Sequence, residues 1–192
     1  FTYSYDMLGE AARTDADARH YHLSYSRAIS AIAGACTSHD VTQNPGISVK
    51  LSALHARYEE AQRDRVMDEL VPRLRSLALL AKSAGQGFNI DAEEADRLSL
   101  SLDVIEAVAT DPALAGWDGF GVVVQAYGQR AGYVLDWLHD LGHRTGQRCM
   151  VRLVKGAYWD AEIKRGQVMG LDGFPVFPSN PATDVSYIAN AR

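Results

Sequence analysis

The sequence predicts an α/β protein that forms part of a (β/α)8 TIM-like barrel. Three observations lead there. Five short apolar, β-rich segments recur along the chain, helical patterns lie between them, and nearly every apolar segment ends in charged or hydrogen-bonding residues. Strand–helix alternation implies a parallel sheet. A doubly wound open sheet competes with the barrel, but no GxGxxG follows a strand and no Walker A sequence occurs, so the usual nucleotide-binding signatures are missing. The polar strand ends favour the barrel, which gathers its strand C-termini around one site.

The expected strands are FTYSYDML (1–8), GISVKLSAL (46–54), GFNIDAEE (87–94), GFGVVVQAY (119–127) and CMVRLVKGAY (149–158). Their polar ends hold Asp6 and Glu10, Lys50 and Ser52, Asp91 with Glu93 and Glu94, Gln125 and Tyr127, and Arg152 and Lys155. Residues 62–84 place Val66, Leu70, Leu74, Leu77 and Ala81 at three- and four-residue steps, the stripe of an amphipathic helix. Residues 97–109 repeat the pattern with Leu98, Leu102, Ile105 and Val108, and residues 131–145 with Val134, Leu138 and Leu141. Gly85 and Gly146 follow their helices as C-terminal caps do. Residues 36–46 and the proline-rich 169–183 are expected connectors, and SYIANAR, up to Arg192, reads as an unfinished helix. Five strands cannot close an eight-stranded barrel. Residues 1–192 are therefore expected to be the N-terminal part of one, with about the first five β/α units present and the later strands beyond Arg192.

Composition narrows the function. The 192 residues are 47% apolar and 22% charged, as in a globular protein with a sizeable core. No run approaches the roughly 18 apolar residues of a membrane span. A formal net charge of -5 argues against nucleic-acid binding through this segment. Cys36 and Cys149 are far apart and read as free thiols of a reducing compartment. The six histidines form no HExxH, and no metal-ligand spacing stands out.

Each candidate residue has a bland reading beside a functional one. Lys50 shares a strand face with Ser52 and is expected to look into the barrel. It is either a snorkelling surface lysine, a point charge for a substrate carboxylate, or a Schiff-base amine. Asp91 is either a helix N-cap or a carboxylate that orders nearby cations. Gln125 ends an apolar run and needs a partner, from a neighbouring loop or a polar heterocycle. Arg152 shares a face with Val154, and its burial would cost several kcal/mol unless it were paired, with Asp91 or with an electron-rich cofactor. Gly156 allows close backbone approach, and Trp159 either packs a helix or stacks on a flat ring.

The motifs YSYDMLGEAA, GISVKLSALHARY, NIDAEEADRLSLSLDVIE, VVQAYGQRA and RLVKGAYWDAEIKRGQ closely resemble the proline dehydrogenase domain of the bifunctional bacterial proline-utilisation flavoenzymes. The likeness follows the chain in order from end to end. It implies a distorted (β/α)8 barrel with FAD at the strand C-termini, and oxidation of L-proline to Δ1-pyrroline-5-carboxylate by hydride transfer to the flavin N5. Lys50 would hold the proline carboxylate, Asp91 would order the cationic site, and Tyr158 would pack on the proline ring. Gln125 would hydrogen-bond the flavin, and Arg152 would lie close to its N5. Val123, Val154, Gly156 and Ala157 would line the cofactor, with Trp159 near the adenine.

The resemblance also implies a cytoplasmic parent with peripheral contact at the inner membrane. Its electron acceptor would be a membrane quinone, and a pyrroline-5-carboxylate dehydrogenase domain would follow in the same protein. The family's C-terminal helix with paired arginines and its late tyrosine have no counterpart here. This piece is therefore expected neither to hold FAD firmly nor to oxidise proline alone. Two other readings remain: a lysine Schiff-base barrel enzyme of the aldolase type using Lys50 or Lys155, and a non-catalytic barrel remnant.

Overall fold

The computed structural model describes residues 2–192; Phe1, at the head of the first expected strand, lies outside the described residues. Five strands form one sheet in the order β1-β2-β3-β4-β5, and every neighbouring pair is parallel. β1 is Ser4–Asp6, β2 Gly46–Val49, β3 Gly87–Ile90, β4 Phe120–Gln125 and β5 Met150–Val154. Strand order that follows chain order without reversal is the winding of a barrel; a doubly wound sheet turns back on itself. The sheet keeps two open edges: all of β1 is exposed, and Val151 of β5 is 44% exposed.

Helices α1 (Asp15–Ala33), α3 (Arg63–Ser83), α4 (Leu98–Ala109) and α5 (Ala131–Thr145) connect consecutive strands. Each lays an apolar stripe on one face of the sheet. The expected stripe of α3 is fully buried: Val66, Leu70, Leu74, Leu77 and Ala81. It meets Ile47 and Val49 of β2, Phe88 and Ile90 of β3, and Phe120, Val122 and Val124 of β4 in one core. These strand residues alternate, so all of them point outward to the helices. The rings of Phe88 and Phe120 sit 6.4 Å apart across neighbouring strands.

Local signals set the helix ends. Thr14 caps α1 in a reciprocal box with Asp17: each side chain accepts the other residue's backbone N–H. Gly146 closes α5 in the left-handed region, with φ 65°. Pro72 lies inside α3, which nonetheless runs through it.

Several boundaries differ from the sequence reading: β1, β3, β4 and β5 are shorter than the expected segments 1–8, 87–94, 119–127 and 149–158. The second strand stops at Val49 instead of running to residue 54. The chain turns at Lys50 into a one-turn helix, α2 (Leu51–Leu54), so Ser52 is not on a strand face with Lys50. Ser52 instead accepts the Ala11 N–H through its hydroxyl at 3.0 Å and fixes the β1–α1 loop. Helix α1 was not separately expected, because its buried stripe is thin: Ala18, Tyr25 and Ile29 in nineteen residues. Connector 169–183 is irregular only as far as Ser179, which caps α7 (Asn180–Asn190). Residues 159–168 form a further helix, α6 (Trp159–Val168).

Candidate active site

The parallel register explains how residues distant in sequence meet. Val49 pairs with Ile90, Ile90 with Val122 and Val122 with Val151, all outward-facing. The next position on each strand, or the residue just past its end, faces inward: Lys50, Asp91, Val123 and Arg152. The row below holds Asp6, Ser48, Asn89, Gly121 and Met150. Gly121 gives the Asn89 side chain its place. A Cβ there would stand 2.1 Å from Asn89 Oδ1 and 3.0 Å from Met150 Cβ.

Asp91 is the centre of the upper row. Its side chain is 9% exposed and takes both cations. The Lys50 ammonium donates to Oδ2 at 2.8 Å, and Arg152 Nη2 donates to Oδ1 at 2.6 Å. These are short, charge-assisted contacts on a mostly buried anion, and removing Asp91 would leave two cations facing each other. Arg152 Nη1 also donates to the Ser48 hydroxyl at 3.2 Å. Lys50 makes a second ion pair with Asp6 at 3.2 Å; Asp6 is 53% exposed, so water weakens that contact. The Lys50 backbone N–H donates to the Tyr25 hydroxyl at 3.2 Å, which holds the strand end where β2 turns into α2.

Burial opposes the charge on Lys50. Asp91 and Asp6 more than offset it and raise the ammonium pKa above the ordinary lysine range. A lysine held so firmly protonated is a poor Schiff-base nucleophile. Lys155 points elsewhere: it is 62% exposed and ion-paired with Asp184 of α7.

A second cluster flanks the first. Glu93 is 4% exposed; its carboxylate accepts the Ser52 N–H at 2.9 Å and pairs with Arg97 at 3.2 Å. Burial raises its pKa, against the lowering effect of those contacts. Gln125 donates Nε2–H to the Glu93 carbonyl at 2.9 Å and accepts the Ala157 N–H at 2.9 Å. The neighbouring-loop reading of Gln125 thus describes its contacts, although one amide hydrogen is left over. Gly156, at φ 139°, brings the backbone against the Tyr127 ring; a Cβ would stand 2.4 Å from it. Burial pushes the Tyr127 phenol up to about 12.

Tyr158, just before α6, is half-buried. Burial raises its pKa, and the charges of Glu10, Glu93 and Glu94 add to the effect. Trp159 donates its indole N–H to the Phe177 carbonyl at 2.8 Å, tying α6 to the loop ahead of α7. Of the sequence-predicted residues, Lys50, Asp91 and Arg152 are in direct contact. Gln125 and Ala157 form a hydrogen-bonded neighbour pair, and Val123 and Val154 flank Arg152 by register. Ser48, Tyr25 and Glu93 hold this site and were not singled out. Ser48 was visible in principle, since it sits two residues before Lys50 on an alternating strand.

The whole chain, residues 1–192, matches the family model described as proline dehydrogenase. The chain belongs to the proline dehydrogenase family. Among curated proteins it is 58% identical to the bifunctional protein PutA of Klebsiella aerogenes over its full 192 residues, which are 15% of that relative. The identity to the bifunctional protein PutA of Rhizobium meliloti is also 58%, again over 15% of its length. A crystal structure of a mutant Bradyrhizobium japonicum proline utilization A superposes with TM-score 0.97 at 56% identity, covering all of this chain and 20% of that one. The Bdellovibrio bacteriovorus protein inactivated by N-propargylglycine gives 0.90 at 27% identity, covering 99% of this chain and 21% of that one. The chain therefore spans about one-seventh to one-fifth of the proteins it matches. The five parallel strands are those of a partial TIM-like barrel.

Proposed function

We propose that this chain supplies the first five β/α units of a catalytic barrel that oxidises L-proline to Δ1-pyrroline-5-carboxylate with FAD. The observation that carries the proposal is the inward row of Lys50, Asp91 and Arg152, in a chain of the proline dehydrogenase family.

The residues fit a planar, electron-accepting cofactor. Arg152 uses two nitrogens on Asp91 and Ser48, yet its side chain remains 42% exposed, with donors to spare on the open side. Val123 and Val154 flank it with apolar surface suited to a ring system. Gln125 keeps one amide hydrogen for a ring heteroatom. Gly156 and Ala157 present backbone without a bulky side chain beside the Tyr127 ring. Trp159, half-buried with its N–H satisfied, keeps a ring face for an adenine. FAD, when bound, supplies the hydride acceptor that no amino-acid side chain can.

The protein groups have distinct tasks. Lys50 binds the proline carboxylate, because it is a partly exposed, fixed cation with one exposed partner, Asp6, that a substrate carboxylate can replace. Asp91 holds Lys50 and Arg152 side by side and keeps Lys50 charged. Arg152 places fixed positive charge where negative charge accumulates on reduction, which favours the reduced state. Tyr158 covers the substrate ring. The partners are L-proline, the remaining barrel strands and C-terminal helix, and a pyrroline-5-carboxylate dehydrogenase domain in the parent. A membrane quinone accepts the electrons, and the parent is cytoplasmic with peripheral contact at the inner membrane. No helix among the described residues is long and apolar enough to cross a membrane, which fits peripheral contact.

The test is a visible spectrum of the full-length parent before and after anaerobic addition of L-proline. Flavin absorbance that bleaches supports the proposal. A protein without flavin, or flavin indifferent to proline, refutes it. Borohydride trapping with a carbonyl substrate checks the Schiff-base reading, which the raised pKa of Lys50 disfavours.

A further inference from the structure

Helix α5 carries a pair of histidines outside the catalytic row. His139 and His143 are four residues apart, both are exposed, and helical geometry places them one above the other on a single face. Their Nε2 atoms are 3.0 Å apart, with one imidazole donating its proton to the other. Their ring centroids are 4.4 Å apart, with planes 84° apart. The centroids are farther apart than the nitrogens, so the two nitrogens are the near ends of the rings. With metal–imidazole bonds of about 2.0–2.1 Å, nitrogens at this spacing subtend about 95° at a shared ion. That is the cis angle of a tetragonal or octahedral ion, and narrower than a tetrahedral site prefers.

Asp140 and Glu106 are both engaged by Arg144, at 2.7 Å each, and are not spare ligands. Among the described residues no group of three or more His, Cys, Asp or Glu side chains is placed to hold a metal. A bound ion would thus take two imidazoles here and water at its other positions. His139, His143 and the groove beside them, lined by Gly142, Gln147 and Arg148, leave room for those waters.

We propose that His139 and His143 form a two-imidazole chelate for a divalent transition metal, with copper(II) bound most tightly and nickel(II) next. The preference follows from ligand type, bite angle and the usual order of divalent affinities. Binding replaces the hydrogen bond between the rings: the imidazole that carries its proton on Nε2 takes the Nδ1–H tautomer instead, and both Nε2 atoms coordinate as neutral ligands. The site lies on the outer helix layer and takes no part in the proposed proline chemistry.

The experiment is titration of the full-length parent with copper(II) in a non-coordinating buffer, followed by calorimetry and electron paramagnetic resonance. His139→Ala and His143→Ala are each expected to remove the same single equivalent, or to weaken it about a hundredfold through loss of the chelate. The resonance of that equivalent should change from a two-nitrogen to a one-nitrogen pattern. Asp140→Ala, on the same turn, should leave the equivalent in place. Superimposable isotherms for the parent and both histidine variants would overturn the proposal, as would a loss confined to one histidine variant or shared by Asp140→Ala.

Discussion

The two faces of β3 and β4 contrast sharply. Outward, Phe88, Ile90, Val122 and Val124 lie 0–3% exposed in the core with the helices. Inward, the same few residues of chain present Asn89, Asp91 and Val123, and the row ends in charges. Alternation of side chains lets one short strand do both jobs. The outward face is held by contacts that any apolar residue of similar volume could approximate. The inward face is centred on Asp91 between two cations, with Asp6 and Ser48 as secondary partners, and no neutral residue can replace Asp91. Substitutions on the outward face should cost stability without touching chemistry, and substitutions on the inward face should do the reverse.

The largest effect is expected at Asp91. Asp91→Ala leaves Arg152 without a charged partner and Lys50 with only the exposed Asp6, so both cations lose the group that positions them. In the full-length parent, proline turnover should fall by about a hundredfold or more, with little change in the thermal transition of the apolar core. A variant that lost stability but kept turnover would erase the contrast. Phe88→Ala is the opposite probe. It should destabilise the barrel by about 3–5 kcal/mol in chemical denaturation and leave turnover per folded site unchanged.

Gly156→Ala sits between the faces. At φ 139°, and with a Cβ 2.4 Å from the Tyr127 ring, the strain should be about 1–3 kcal/mol. Because the residue adjoins Ala157 and Gln125, the proposed loss is one of flavin retention, read as cofactor content after gel filtration.

The smallest effect concerns His55, a core residue that is 1% exposed. Burial lowers its pKa below 6.5, and the charges of Arg73 and Arg65 add to the effect. Glu69 opposes it from 3.3 Å, outside hydrogen-bond geometry. A depressed histidine contributes stability that is present above its unfolded pKa and lost as pH falls through the folded one. Its Nδ1 accepts the Arg57 N–H at 3.1 Å, which a protonated ring cannot do. Amide protection at Arg57 should therefore drop as pH is lowered below 6.5, and His55→Gln should flatten that dependence.

Much of this was legible in the sequence, for reasons that differ by element. The α3 stripe and β4 were plain because long apolar periodicity leaves little choice of face. The strand-to-helix turn at Lys50 was not, since VKLSAL alternates as well as a strand does and only tertiary contacts stop it. The Tyr25 hydroxyl on the Lys50 N–H and the Glu93 carboxylate on the Ser52 N–H are such contacts. Asp91 was one of two partners expected for Arg152 from the cost of burying an arginine; the pair forms, although Arg152 itself stays 42% exposed. Gln125 was foreseen as needing a partner, but not that two backbone groups would supply it. Ser48 was legible from alternation with Lys50, whereas the His139–His143 contact needed the helix face.

The measurement that tests the account most directly is proline binding by Lys50→Met in the full-length parent. Flavin content should be unchanged and the KM for L-proline should rise about ten- to a hundredfold, the worth of a charge-assisted hydrogen bond. Proline affinity equal to that of the parent, or a borohydride-stable adduct on Lys50 in the unmodified protein, would contradict the assignment of this row as a proline site.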